Sequence, residues 1–565
     1  MSTATIASRD VPQNGIAGFK HLRQDILSGI VVSLVSLPLS SGIAIASGVP
    51  PIYGLISAII AGLIFPFIGG AYMTIAGPAA GLAPALLAIM IALGGAGDSD
   101  HVGPGYQYLI VVIFMVGIVQ IILSLAKLAR FAAIIPVSVV EGMLASIGLL
   151  IIVKQLPMFF GFTGKVHAHE FFAFVADSPI YARGMTVPVF AVSAATLALL
   201  LVLGSLKSLK WLKIVPPQLI AVIVGVGLGY MFSLGSLGSG FLISLPKDPF
   251  HGMHTPDFGA LFARQDLWYA AILGVITLTM IDGVESLATA MAIDRIDPFH
   301  RKSDANRVLL GMGICNIASS LVGGLTIIPG GVKSKANIAS GGRTLWANFT
   351  NAICLILYLL VGRDLINMIP KGVLASVLIY TGWKMCEPLV WKHMAHIGKE
   401  QLGIFSLTVL ATLLTDLLWG IAIGVVAKYA LNMILYRYAI AVAVPSAQQP
   451  SLWRSMLDFF RNPVLRRELK GDEFHLYLDK PLVCFNSMQL SRELDEVPAE
   501  AKSVFVHLDC LVGLIDHTSH ENLMHVAKEF SHNQVPVTII GLDRMRGLSE
   551  YHACTHVATP ALAAA

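Results

Sequence analysis

Charge is scarce along this chain. Only 13% of its 565 residues are Asp, Glu, Lys or Arg, against 55% apolar residues and a mean hydropathy of +0.74. That shortage excludes a soluble enzyme, because so apolar a chain must lie mostly in a bilayer. Cysteine is scarce as well. The six residues Cys315, Cys354, Cys386, Cys484, Cys510 and Cys554 show no CxxC or metal-type spacing, so they read as structural thiols. No Walker motif occurs, which excludes direct drive by ATP. The net charge of +4 is spread through the connections with no basic tract, which excludes nucleic acid as a partner.

What the chain does have is long apolar runs. The first, Ile26 to Ala46, follows Lys20, His21 and Arg23, contains Pro38 and is succeeded by further runs, so it reads as a first membrane segment rather than a cleaved signal peptide. After a polar tail (1–18), runs long enough to cross about 30 Å continue to about Tyr436. The count is fourteen, the third (after Gly77) and the tenth (after Gly331) being half-length. Basic residues fall in alternate connections: Lys20 to Arg23, Lys127 to Arg130, Lys207 to Lys213, Arg295 to Arg307, Lys384 to Lys399, and Arg437. Gly97 to Tyr106, with Asp98 and Asp100, lacks them. The positive-inside rule then puts both termini in the cytoplasm, and the chain is expected in a bacterial-type inner (plasma) membrane.

Two stretches interrupt the apolar pattern in the same way. Gly323 to Thr344 reads GGLTIIPGGVKSKANIASGGRT, and about 250 residues earlier Gly69 to Gly81 reads GGAYMTIAGPAAG. Each has a Gly-Gly pair, a short strand-like run, and a Gly/Pro break opening a helix. Downstream, Ile135-Pro136 precedes Gly142-Met143-Leu144-Ala145-Ser146, as Ile369-Pro370 precedes Gly372-Val373-Leu374-Ala375-Ser376. Glycines for close helix packing explain one copy but not the paired order. Paired broken helices point to a transporter of seven plus seven inverted repeats with a midplane site.

The second break carries Lys333, a cation that is costly in hydrocarbon unless it serves a cavity. With the exposed amides and positive dipoles of the half-helices, it describes an anion site. Gly77, Pro78, Ala79, Ala80, Gly331, Val332, Lys333 and Ser334 are its candidate residues, the amides of Ala79, Ala80 and Val332 acting as donors. Lys335 lies about 200° further round a helix and points elsewhere.

In the eighth span Asp282, Glu285, Ser286 and Thr289 share neighbouring helical positions. Glu285 opposite Lys333 leaves the empty site near neutral, so an arriving anion calls for a cation. Glu285 supplies it by taking H+ or by joining Thr289 in an oxygen cage for Na+. The competing reading is a Glu285–Lys333 ion pair that only locks two spans. Asp282 is a third candidate for cation coupling, or lies near the mouth of the site. Glu141 is either a second coupling group or a helix-capping residue, and Asp416 lies at an interfacial turn. His393 and His396 lack partners for a metal set.

Beyond a charged linker (441–470), the β-branched runs Phe474 to Leu478, Ser503 to Leu508 and Val535 to Ile540 alternate with helix-like stretches such as Ser519 to Phe530. They predict a small cytoplasmic α/β domain (471–550) before a disordered tail (551–565).

The chain is identified as a member of the sulfate permease (SulP) family over Asp25 to about Tyr436. The carriers are Asp25 to Leu55 (DILSGIVVSLVSLPLSSGIAIASGVPPIYGL), the GPAAG turn at Gly77 to Gly81, Ile214-Val215-Pro216-Pro217-Gln218-Leu219, Asn306, Gly313 to Asn316, and NIASGGRT at Asn337 to Thr344. The resemblance implies a uracil-permease-like fold in which a core domain (spans 1–4 and 8–11) moves against a gate (spans 5–7 and 12–14). It also implies a homodimer and a cytoplasmic STAS domain, a possible surface for a protein partner. The sodium-driven bicarbonate branch holds Na+ with Asp and Thr on span 8, here Glu285 and Thr289, and uses a small residue and Thr where this chain has Gly330 and Gly331. Those departures leave H+ and Na+ as alternatives, with no other cofactor. Lys333 matches a basic residue of animal relatives. Leu514-Ile515-Asp516-His517-Thr518-Ser519 resembles the STAS signature, with Thr518 at the regulatory hydroxyl.

The expected function is therefore secondary active transport of a small oxyanion, bicarbonate or sulfate, by an elevator movement. A passive channel or non-transporting sensor is the alternative from another class. A nucleobase permease of the same fold would want carboxylates on spans 8 and 10, where span 10 has Lys333.

Overall fold

The computed structural model describes residues 11–97, 101–129, 135–164, 171–205, 216–246, 254–415, 417–445, 449–498, 500–532 and 535–559. Asp98, Asp100, Arg130, Lys207 to Lys213, Ile214, Val215 and Asp416 lie outside them, as do most of the amino-terminal tail and the last six residues. The chain forms two compact units, 1–129 with 147–385, and 130–146 with 386–565.

The first unit is helical. Its order is α1 (Leu22–Ala46), α2 (Pro51–Ile68), β1 (Ala76–Gly77), α3 (Ala83–Ala92), α4 (Tyr106–Leu125), and most of α5 (Val137–Phe160). Then come α6 (Phe171–Arg183), α7 (Val187–Ser205), α8 (Pro217–Met231), α9 (Phe258–Ala263), α10 (Trp268–Asp294) and α11 (Ala305–Leu321). It closes with β2 (Ile328–Pro329), α12 (Gly331–Ala339), α13 (Trp346–Leu360), α14 (Arg363–Ile366) and α15 (Lys371–Cys386). Among the described residues of the whole chain, eight helices are long and apolar enough to cross a membrane, and Ala80–Ala92, Pro217–Met231 and Trp346–Leu360 are shorter apolar helices.

Small residues and buried polar caps set the packing around the breaks. A Cβ at Gly117 on α4 would lie 2.7 Å from Gly313 O on α11, and one at Gly313 would lie 2.8 Å from Gly117 O. Only glycine at both positions lets these backbones touch. The fully buried Asp25 carboxylate accepts from the amides of Arg343 (2.6 Å) and Thr344 (3.0 Å) and from the Thr344 hydroxyl (2.5 Å). A carboxylate is thereby placed against the start of α13, where free amides and the helix dipole favour negative charge. Ser28 on the next turn donates to Asn337 Oδ1 at 2.7 Å. The conspicuous polar residues of the first span and of NIASGGRT are thus one buried joint.

The second unit contains α16 (Pro388–Ile397), α17 (Lys399–Leu414), α18 (Leu417–Ala443) and α19 (Leu452–Asp458), followed by an α/β region. There β3 (Val464–Lys470), β4 (Glu473–Leu478), α20 (Ser487–Asp495), β5 (Ser503–Leu508), β6 (Leu514–Ile515), α21 (His517–His532), β7 (Val537–Ile540), β8 (Met545–Gly547) and β9 (His556–Ala558) follow in turn. The larger sheet has the order β3-β4-β5-β7, antiparallel at its first pair and parallel thereafter; β6-β9-β8 form the smaller one. Two expected boundaries change. The charged linker ends earlier, because β3 recruits its charged residues as an edge strand, with Arg466 and Arg467 paired to Tyr477 and Leu476. The tail is ordered through Thr559, because β9 pairs with both β6 and β8.

The core of this region is continuous with the last long helix. Tyr436, Ala439, Ile440 and Ala443 of α18 are buried with Leu476, Val504, Val506, Leu514 and Ile515. Burial of the valine, leucine and isoleucine side chains among them stabilises by about 1.5–3 kcal/mol each. A polar seam lies on the same helix. Lys428 donates to Gln401 Oε1 (3.4 Å), Gln401 donates to Thr555 Oγ1 (3.2 Å), and Asn432 donates to Asp516 Oδ2 (3.0 Å).

Candidate functional site

Both breaks follow a glycine turn. Gly69, Gly70 and Gly323 have φ of 77°, 100° and 78°, in a region that residues with a Cβ rarely adopt. From each turn an extended stretch leads to the other: β1 pairs antiparallel with β2, Ala76 opposite Pro329 and Gly77 opposite Ile328. The Gly330 amide then donates to Ile75 O at 2.8 Å. Helix resumes at Ala80 after the first strand and at Gly331 after the second. Two helix starts therefore converge, each with free amides and a partial positive charge.

Side chains hold these extended stretches in place. Asn337 donates to Met73 O (2.9 Å), and Ser334 Oγ accepts from the Ile75 amide (2.9 Å) while donating to Gly330 O (2.7 Å). On the opposite approach, Ser57 Oγ accepts from the Leu325 amide and Asn316 Oδ1 from the Ile327 amide, both at 2.6 Å. Ser334 was expected among the anion's ligands. Its hydroxyl instead joins the two breaks to each other.

Lys333 is 1% exposed, and among the described residues its Nζ has no hydrogen-bond partner. Its stem crosses Gly330, where a Cβ would lie 2.8 Å from Lys333 Cε, and its tip reaches Gly77, where a Cβ would collide with Nζ. Lys335 is exposed, as the helical angle requires. Pro78 and Ala79 are buried, whereas Ala80, Gly331 and Val332 are partly open.

Glu285 on α10 is 9% exposed, and among the described residues its Oε2 has no partner. Both carboxylate oxygens lie 2.5 Å from where a Cβ of Gly81 would stand. Among the described residues no ion pair joins Glu285 to Lys333, so the reading of a locking pair finds no support. Thr289, one turn on, is near Gly331, with its methyl 3.8 Å from the Cβ position there.

Asp282 faces another way. It accepts from Ser286 (3.1 Å) and from Asn316 (3.1 Å), and Asn316 also donates to Gln120 Oε1 at 2.8 Å. This fully buried network links α10, α11 and α4, so Asp282 is not at the mouth of the site. Its neighbour Asn316 ties the same network to the stretch before β2.

A hard cation needs several converging oxygens. Here one carboxylate faces Gly81, the second carboxylate of the helix is committed elsewhere, and a methyl of Thr289 is what lies against Gly331. Among the described residues no group of three or more His, Cys, Asp or Glu could hold a metal.

In the second unit, Thr518 Oγ1 accepts from the Val137 amide at 3.2 Å, capping the start of α5, and is buried. The hydroxyl matched to the regulatory position of the STAS signature is thus also a helix cap here. His393 and His396 contact the Tyr551 ring edge-on, with centroids 6.0 and 5.7 Å away.

Two site residues escaped the reading of the sequence. Gly81 lies within the GPAAG turn, four residues after Gly77, and that spacing was the available signal. Asn316 stood within a run that carries the family resemblance, but nothing in that run pointed to its hydrogen bonds with Asp282 and Ile327.

The family model for the sulfate permease family matches residues 22–408. YvdB of Bacillus subtilis, named for sulfate transport, is 28% identical over 413 residues, covering 73% of each chain. The bicarbonate transporter BicA of Picosynechococcus is 24% identical over 407 residues, covering 72% of this chain and 69% of its own. Two solved structures share the fold. The transmembrane domain of a cyanobacterial BicA has a TM-score of 0.61 at 23% identity, covering 71% of this chain and 98% of that one. SLC26A9 has a TM-score of 0.64 at 16% identity, covering 92% and 84%. The relatives are transporters, not enzymes, and the broken helices, the apolar spans and the matched residues lead to one conclusion: this chain belongs to the sulfate permease family, as an integral membrane anion transporter.

Proposed function

We propose that the protein is a secondary active transporter of a small inorganic oxyanion, bicarbonate or sulfate, driven by a coupled cation. The observation that carries this reading is a buried, unpartnered Lys333 ammonium beside two converging helix starts. Holding a cation there without a partner costs several kcal/mol, and a small anion between the ammonium and the amides of Ala79, Ala80 and Val332 offsets that cost. The matched relatives named for sulfate and for bicarbonate support these two candidates.

Glu285 supplies the coupling. A carboxylate against Gly81 that takes up a proton compensates the negative charge of the arriving anion, and its unpartnered Oε2 supports H+ as the coupling ion. In this reading the chain has fourteen segments in two inverted halves, and the half-helices travel with the core while the gate stays. A homodimer in an inner membrane with both termini cytoplasmic, and a STAS-like carboxy-terminal domain, complete the proposal.

Uptake of labelled bicarbonate and sulfate into proteoliposomes, under separately imposed proton and sodium gradients, tests it. Gradient-driven accumulation of one anion is expected. Flux that merely equilibrates under every gradient would instead indicate a passive channel.

A further inference from the structure

Among the described residues no hydrogen bond joins Lys333 Nζ to Glu285; each group rests on a glycine of the same turn. The Lys333 ammonium occupies the space that a side chain at Gly77 would need, backed by Ala58 Cα at 3.7 Å from the Cβ position. Glu285 occupies the corresponding space at Gly81, with both oxygens at 2.5 Å. Both side chains are at least nine-tenths buried and each presents an unpartnered polar atom to the turn. The two glycines are four positions apart, with Pro78, Ala79 and Ala80 between them.

We propose that Gly77 and Gly81 are positioning residues that seat the anion-binding ammonium and the coupling carboxylate on one turn of chain. Gly77 sets how deeply Lys333 withdraws and hence the room left for the anion. Gly81 sets the distance from Glu285 to the start of α3 and hence the charge state that the carboxylate adopts. Because one turn carries both seats, displacement of the ammonium by an anion is transmitted to the carboxylate through Pro78 to Ala80 with no contact between the two charges. The inference rests on the transport reading above and adds a division of labour to it.

The experiment uses the purified full chain in proteoliposomes, as wild type, Gly77→Ala and Gly81→Ala, with labelled bicarbonate and sulfate as probes. Gly77→Ala is expected to raise KM about tenfold while stimulation by a proton gradient is kept. Gly81→Ala is expected to keep KM within about twofold while that stimulation is lost. If KM and gradient stimulation change together in both variants, or in neither, the assignment is overturned. Should wild type carry neither anion, the transport reading fails by itself and the seats are read from melting temperature in detergent. Gly77→Ala then lowers the melting temperature less in a Lys333→Ala background, and Gly81→Ala less in a Glu285→Ala background. Equal losses in both backgrounds overturn the proposal.

Discussion

Ser334 on α12 accepts a hydrogen bond from the amide of Ile75, 259 residues earlier, at 2.9 Å. Together with the β1–β2 pair it makes the two breaks one body, so Lys333, the residue before Ser334, reaches Gly77 on the opposite break.

Lys333→Ala should therefore remove anion transport without unfolding the chain. The loss of one charge-assisted contact predicts a fall in uptake efficiency of about 10–100-fold or more. The melting temperature should be retained, because an unpartnered buried charge contributes no stability. Wild-type uptake by a stable variant would remove Lys333 from the site.

Glu285→Gln keeps the shape at Gly81 and discards the titrating group. Uptake driven by the cation gradient should fall to the level seen without a gradient, while exchange of anion for anion persists. Persistence of gradient-driven uptake in this variant would count against the coupling role.

Asp25 accepts from two amides and a hydroxyl in a fully buried joint. Asp25→Ala leaves those donors without an acceptor and should destabilise the transmembrane unit by about 2–4 kcal/mol. Asp25→Asn, which keeps one acceptor, should lose less. Denaturant or thermal unfolding in detergent checks this ranking, and equal stability of all three proteins contradicts it.

His520, outside the membrane-spanning segments, gives the carboxy-terminal region a pH dependence. Its Nδ1 donates to Cys554 O at 3.1 Å, which leaves a buried Nε2 with no partner among the described residues. Burial lowers its pKa, the Cys554 carbonyl opposes that shift, and His556, His517 and His552 add to the lowering. The folded state thus prefers neutral His520. This contribution is complete above the unfolded value of about 6.5 and is lost as pH falls below it. Melting of the full chain should drop between pH 7.5 and 5.5 by more in wild type than in His520→Asn, which retains a donor near Nδ1. Identical pH dependence of the two proteins would rule this out.

Much of the architecture was legible along the chain because it follows from local chemistry. A chain this apolar must place its long apolar runs in the bilayer, and Pro78 with Gly77, or Pro329 with Gly330, disfavours unbroken helix at those points. The strand at Ser503–Leu508 was equally readable from its β-branched alternation. Strand β3 was not, because its burial is low and its charged residues look like a linker until β4 supplies the ladder.

The site was legible in its ingredients but not in its pairings. Composition and spacing determined that Lys333 and Glu285 lie in apolar segments beside broken helices, since solvation leaves few reasons for charge there. Tertiary structure alone decided that Lys333 rests on Gly77 and Glu285 on Gly81, that Asp282 turns toward Asn316, and that Ser334 binds backbone. Such contacts, 34 positions apart for Asp282 and Asn316 and more than 200 for Lys333 and Gly77, depend on how whole helices pack, and local sequence carries no record of that register.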